Sequence, residues 1–253
     1  MHVSHSSSCL SGRRSSTAVS FIPKISAQRC DLLAQIGVHP IYRFDARRLP
    51  SVPAGQLCGG WLNDELVNAY LDLIRRLLKS APADAQFPRC LLMSSQFFNR
   101  LEECGYDGTW KQGVWLPGVQ RWFKKYKLED YDMIMVPVNI SQHHWTLAAV
   151  NLKDQRLEYF DSQQASDGGR LRLLHNWLMK ELGRHPRLQR LASAARDWQR
   201  VAYTGTPKQL DGSSCAIFMV QTILRLALGA QLDHAQDHMP SRGDTRCNEP
   251  SRG

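Results

Sequence analysis

Three runs near the middle of the chain, Met133 to Val138, Trp145 to Val150 and Arg156 to Phe160, are short, dominated by apolar residues and separated by a few polar positions. They predict neighbouring strands of one sheet with short connections. On either side the period changes to helical. Val67, Tyr70, Leu71, Ile74, Leu77 and Leu78 fall on one face of a helix that Asn63 can cap, with Asp64 and Glu65 in its first turn and an end before Pro82. Residues 91 to 103, with Leu91, Leu92, Phe97, Phe98 and Leu101, predict a second, shorter helix, and the basic, aromatic stretch Val119 to Tyr126 a third. Leu171, Leu174, Trp177, Leu178 and Leu182 repeat helically, and a further strand is expected over Trp198 to Tyr203. Ile217, Phe218, Val220, Ile223, Leu224 and Leu226 mark a last helix that Gly229 stops. Upstream, Ile41 to Phe44 reads as a short strand, followed by a loop punctuated by Pro50, Pro53, Gly55, Gly59 and Gly60 that ends at Trp61. Helices flanking a central mixed sheet make the expected fold class α+β.

Composition narrows the picture only slightly. With 253 residues, 43% hydrophobic and 22% charged, the chain suits one sizeable domain with tails. No apolar run approaches the roughly 18 residues needed to cross a bilayer, and the opening residues lack the apolar centre of a secretory signal. Residues 1–35 are serine-rich and basic, with no acidic residue before Asp31, and are expected to be a disordered tail. An organellar transit peptide or a nuclear address has similar composition. The domain is expected over 36–232, with a polar tail over 233–253. A net charge of +9 favours nucleic acid, an anionic membrane or an acidic protein partner without choosing among them. The seven cysteines are odd in number and form no C-x-x-C pair, which points to a reducing compartment. His234 and His238 have i, i+4 spacing near Cys247, but no second cysteine accompanies them, so no metal or cofactor is expected. No glycine-rich phosphate loop follows a strand.

One cysteine stands apart. Cys215 lies between the polar turn Gln209-Leu210-Asp211-Gly212-Ser213-Ser214 and the last helix, so it falls in a first turn, where unpaired amides and the helix dipole stabilise a thiolate. Most cysteines are inert core residues, and the helix alone does not distinguish this one. A cysteine nucleophile also needs a base, a group that orients the base, and donors for the oxyanion. His144 opens one central strand and Asp161 closes the next, and an antiparallel pair joined by a short turn brings those positions together. Gln209 sits six residues before Cys215, where its amide can act as an oxyanion donor.

The residues in this order resemble a known family. His144-Trp145, Tyr159-Phe160-Asp161-Ser162 and Gln209-x-x-Gly212-x-x-Cys215 are similar to the motifs of the SUMO-specific cysteine proteases, relatives of the adenovirus protease, including the 17-residue interval from histidine to aspartate. The likeness extends to Trp61-Leu62-Asn63-Asp64-Glu65, Ser94-Ser95-Gln96-Phe97-Phe98 and Val119-Gln120-Arg121-Trp122, and covers residues from about 41 to about 240. The resemblance implies a papain-like fold with rearranged chain order and cleavage after the C-terminal Gly-Gly of SUMO, in precursor maturation and in deconjugation from lysine. It implies Cys215 as nucleophile, His144 as general base and acid, Asp161 as its orienter and Gln209 as oxyanion donor. Trp61 and Trp145 would flank the tunnel for the two glycines, and Asp64 would meet the modifier. His143 lacks the adjacent tryptophan and the interval. The implied partners are SUMO or another ubiquitin-like modifier and its conjugates, with no nucleic acid and no membrane. A monomer in the nucleus, or alternatively the cytoplasm, is the family expectation.

The sequence departs from the family at two places. The family has an acidic residue before the nucleophile and glycine after it, where this chain has Ser214 and Ala216. Family members also close with an amphipathic helix that Ser241 to Gly253, with almost no apolar residue, cannot form. These departures keep two alternatives open: a weak or inactive binder of a ubiquitin-like modifier, and a protease for a NEDD8-like modifier.

Overall fold

The central strands form one antiparallel ladder. In the computed structural model, which describes residues 32–42, 45, 62–82, 84–202 and 205–235, β6 (Met133–Ile140) pairs with β7 (His144–Asn151), and β7 with β8 (Arg156–Phe160). The remaining elements, in chain order, are β1 (Leu32–Ile36), β2 (His39–Tyr42), α1 (Asp64–Lys79), β3 (Cys90–Leu92), α2 (Gln96–Cys104), β4 (Gly108–Lys111) and β5 (Val114–Pro117) before the ladder. After it come α3 (Arg170–Gly183), α4 (Gln189–Ala195), β9 (Gln199–Ala202) and α5 (Cys215–Ala227). β3 joins β6 and β9 joins β8, both in parallel, so the five-stranded sheet runs β3-β6-β7-β8-β9 and is mixed.

The sheet is covered on both faces, which is why its central strands read as near-continuous apolar runs. Ala148 and Val150 of β7 join Ile134, Val136 and Val138 of β6 in a core with Phe97, Phe98, Phe123, Leu174 and Trp177. The alternate residues Trp145, Leu147 and Ala149 join a second core with Val67, Leu71 and Ile74 of α1 and Ala216, Met219, Val220 and Ile223 of α5. The period of two along β7 therefore separates a structural face from the face that carries the last helix.

Several expected elements change in detail. The apolar run 91–103 is not one helix: Leu91 and Leu92 pair in β3 with Ile134 and Met135, and α2 begins only at Gln96. The break is held from α1, where Asn68 Nδ2 donates to Ser95 Oγ (2.9 Å) and Asn68 Oδ1 accepts from Ser95 N (3.0 Å) in a fully buried contact. Val119 to Tyr126 contains a single 3-10 turn, Gln120–Phe123. The α1 cap is as expected, with Asn63 Oδ1 accepting from Leu66 N at 3.1 Å. β1 pairs with β2 and starts inside the stretch 1–35 expected to be a tail, while the strand expected at Ile41 to Phe44 is displaced to His39–Tyr42. Arg43, Phe44, Tyr203, most of the loop before Trp61, Trp61 itself and residues 236–253 lie outside the described residues.

Two features have no counterpart in the sequence pattern. The hairpin β4–β5 projects from a closed neck, where Val119 N donates to Gly105 O (3.2 Å) and Gln120 N to Tyr106 O (3.0 Å). Its Trp110 and Trp115 face each other across the ladder with ring centroids 5.7 Å apart, yet remain 68% and 47% exposed, so they stabilise the hairpin and not the core. At the other end of the chain, residues past 232 stay on α5. His234 is buried, with its Nε2 3.4 Å from Thr222 Oγ1 and its ring 5.6 Å from that of Phe218, and Asp233 pairs with Arg225 at 2.8 Å.

Candidate active site

The turn before α5 folds on one carboxylate. Asp211 Oδ1 accepts the N–H groups of Ser213 (3.1 Å) and Ser214 (2.9 Å), and Oδ2 accepts the Ser214 hydroxyl at 2.6 Å. Aspartate forms such turns because its short side chain reaches amides two and three residues on. Cys215 is thereby delivered as the first residue of α5, where the unpaired amides of the first turn favour negative charge. It is 1% exposed. Ala216 follows it with its methyl fully buried in the apolar core between α1, β7 and α5.

The imidazole arrives from the ladder. Leu147 of β7 lies opposite Phe160, the last residue of β8, so the strand start at His144 and the strand end at Asp161 lie side by side. His144 Nε2 donates to Asp161 Oδ1 at 2.7 Å, and Oδ1 also accepts Gln163 N at 2.8 Å, which fixes the carboxylate. With Nε2 committed, Nδ1 is the nitrogen left for the thiol. It is buried and makes no hydrogen bond of ordinary geometry. Burial by itself lowers the imidazole pKa, but the Asp161 hydrogen bond and then the nearby Cys215 sulfur outweigh it and raise the value to about 9. The thiol is therefore close enough to be felt by the imidazole while the hydrogen bond is not drawn tight, as is common in sites without substrate. His143, next in sequence, is exposed and turns its ring to the Ser141 carbonyl.

Gln209 lies between these two halves. Its backbone N–H donates to Ser162 O at 3.0 Å, its Oε1 accepts the Ser162 hydroxyl at 2.6 Å, and its Nε2 donates to Asp211 O at 2.6 Å. Trp145 is buried and donates its indole N–H to Leu62 O at 2.9 Å, tying β7 to the residue that follows Trp61. Asp64 opens α1, and its Oδ1 is buried without a hydrogen-bond partner among the described residues. The structure thus bonds His144 to Asp161, sets the buried Cys215 close enough to act on the imidazole, connects Gln209 to both sides, and leaves Asp64 without a hydrogen bond to any of them. Among the described residues no group of three or more metal-ligating side chains converges.

The other described cysteines differ from Cys215. Cys90 sits in the edge strand β3, where burial first and the Asp132 charge second push its thiol up to about 12. Cys104 is buried against Arg100 Nη1 at 3.3 Å. Neither has an imidazole partner, so the only described thiol with a base beside it is the one at the helix start.

A family model described as the Ulp1 protease family, C-terminal catalytic domain, matches residues 60–244. The chain belongs to the Ulp1 protease family. Among relatives, it is 30% identical over 188 residues to ubiquitin-like-specific protease 1A of Arabidopsis thaliana, covering 72% of this chain and 35% of that protein. It is 27% identical over 187 residues to human sentrin-specific protease 3, covering 74% of this chain and 29% of that one. The chain thus spans about a third of the length of these relatives. A solved structure of SUMO protease Ulp1 with its catalytic cysteine oxidised to a sulfonic acid superposes with TM-score 0.59 at 26% identity, over 82% of this chain and 80% of that one. The Ulp1 protease domain in complex with Smt3, the yeast ortholog of SUMO, shares the fold with TM-score 0.60 at 24% identity, over 84% and 82% of the two chains. The rearranged papain-like α+β architecture expected from the motifs is thus the fold of this Ulp1-family domain.

Two residues that hold the site, Asp211 and Ser162, had no role in the sequence reading. An aspartate four residues before a helix start carries a recognisable turn signal. The Ser162–Gln209 bond, between residues 47 apart, has no local signal at all.

Proposed function

We propose that this Ulp1-family chain is a thiol protease that cleaves after the C-terminal Gly-Gly of SUMO, both in the precursor and in conjugates to lysine. The observation that carries the proposal is the line from Asp161 through His144 toward Cys215 at the start of α5, with the 2.7 Å bond orienting the imidazole. His144 Nδ1 takes the thiol proton first, giving an imidazolium–thiolate pair in keeping with its raised pKa, and Cys215 Sγ then attacks the carbonyl carbon of the terminal glycine. The oxyanion is received by the Cys215 N–H and the Gln209 amide. His144 then gives the proton to the leaving amine, the C–N bond breaks, and water hydrolyses the thioester with His144 as base. Trp145, held by Leu62, forms one wall of the passage for the two glycines; Trp61, expected as the other, lies outside the described residues. Asp64, half-buried at the start of α1, meets the surface of the modifier in this reading. The finer expectations, a monomer acting in the nucleus, go with this reading.

Incubation with a SUMO precursor tests it: cleavage by the wild-type chain and none by Cys215→Ser is the expected result, and equal cleavage by both removes Cys215 from this role. A second reading, a binder of a ubiquitin-like modifier with little or no turnover, is motivated by Ser214 and Ala216 at the nucleophile. Tight binding of SUMO without covalent capture by a SUMO probe bearing an electrophilic C-terminus would select it. A parallel panel with a NEDD8-like probe separates the two modifiers.

A further inference from the structure

A glutamine amide is nearly symmetric in shape, and rotation by 180° exchanges Nε2 with Oε1, so that only one orientation offers N–H to an oxyanion. Two neighbours settle the orientation of Gln209. Nε2 lies 2.6 Å from the backbone carbonyl of Asp211, a group that can only accept. Oε1 therefore faces the Ser162 hydroxyl at 2.6 Å, and that hydroxyl must donate. Both side chains are sequestered, with Ser162 4% and Gln209 5% exposed, so water does not readily replace either partner. The backbone is clamped at the same place by the 3.0 Å bond from Gln209 N to Ser162 O. Among the described residues one N–H of Nε2 remains uncommitted.

We propose that Ser162 is a positioning residue: its hydroxyl locks the Gln209 amide with Nε2 outward, so that the remaining N–H is held ready for the oxyanion. The proposal rests on the reading of Gln209 as oxyanion donor. It gives the end of β8 two adjacent tasks, since Asp161 orients the base and Ser162 orients the donor. Without the hydroxyl, Oε1 becomes a buried acceptor with no donor. A flip does not relieve this, because it sets Oε1 against the Asp211 carbonyl. The amide then loses its single orientation, and the transition state loses part of a donor whose complete removal costs about 10²–10³ in kcat in a comparable site.

The test uses the full chain and a SUMO C-terminal fluorogenic substrate. Ser162→Ala is expected to lower kcat about tenfold with KM unchanged, a fraction of the full donor loss, and Ser162→Thr, which keeps the hydroxyl, to recover most of it. Gln209→Ala combined with Ser162→Ala should be no slower than Gln209→Ala alone, because Ser162 acts through Gln209. Unchanged kcat in Ser162→Ala, or a double variant that falls further by the full Ser162→Ala factor, overturns the proposal. A second readout does not need turnover. In ¹⁵N-labelled protein, folded by its thermal melting, the Gln209 side-chain amide protons should exchange slowly with solvent in the wild type and much faster in Ser162→Ala. Equal exchange rates overturn the clamp. If the wild-type chain does not process SUMO, the modifier reading fails by itself and the exchange measurement still decides the role of Ser162.

Discussion

The two ends of the β7–β8 ladder are built from similar residues and put them to different use. At the end away from Cys215, Asn151 Nδ2 donates to Asp154 Oδ2 (3.1 Å) and Glu158 Oε2 (3.4 Å), and Arg156 Nε donates to Glu158 Oε1 at 2.7 Å. Glu158 is only 3% exposed, yet both its oxygens are paired. At the other end His144 Nδ1 and Asp161 Oδ2 are buried with no hydrogen-bond partner among the described residues. A buried polar atom left unpaired costs stability, so the first arrangement is what a fold selects for itself and the second persists where a reacting group is to be met. Concavity alone would mislead here. A cavity of about 560 Å³, lined by Phe87, Asn151, Arg156, Glu158 and Leu232 among others, opens at the satisfied end, away from the thiol and its base.

The largest effects expected from this contrast are on turnover. His144→Ala should reduce kcat for a SUMO substrate by about 10³-fold or more and also lower the melting temperature, because the buried Asp161 loses its partner, whereas Glu158→Ala should leave kcat of the folded protein unaltered. A comparable kcat loss in both variants would break the distinction between the two ends. Next is the titration of His144, read by NMR of its imidazole. An inflection near 9 is expected in the wild type. Asp161→Asn should move it down, since the main raising interaction is lost while burial still lowers the value. Because the folded pKa lies above the ordinary 6.5, protonated His144 stabilises the fold. That contribution is complete below about 6.5 and is lost as pH rises through about 9. A stability profile flat across that window would contradict it.

Smaller effects fall on stability. Glu158→Ala strips partners from Arg156 and from the buried Asn151 and should lower the unfolding free energy by about 1–3 kcal/mol in urea titration. Ala216→Gly restores the glycine of the family pattern but removes a buried methyl from a helix start, and about 1 kcal/mol of destabilisation is expected. A rise in kcat in Ala216→Gly would show that the methyl hinders the chemistry, which would sharpen the case for the weak-binder reading of the natural chain.

How much of this was visible beforehand depends on the kind of regularity each feature has. His144 and Asp161 could be paired on paper because an antiparallel ladder with a short turn leaves little choice of neighbour, and α1 and α5 could be bounded because Asn63 caps one and Gly229, at φ +65°, ends the other. Leu91 and Leu92 fit a helical pattern because a three-residue buried strand has no period of its own, and only the partner strand β6 and the Asn68–Ser95 contact reveal it. The β4–β5 hairpin escaped for the opposite reason: its Trp110, Val114 and Trp115 are apolar but face solvent, so no alternation between core and surface marks its strands. The hydrogen bonds among Ser162, Gln209 and Asp211 depend on tertiary contact, which no spacing encodes.

The neck of that hairpin has a wider consequence. Since the chain leaves and re-enters the domain through paired backbone groups at Gly105–Tyr106 and Val119–Gln120, everything between them is a cassette whose ends are already joined. Such a cassette can be shortened, lengthened or exchanged over evolutionary time without retuning Cys215, His144 or Gln209. It also gives the experimenter a ready place to graft a label or a reporter peptide.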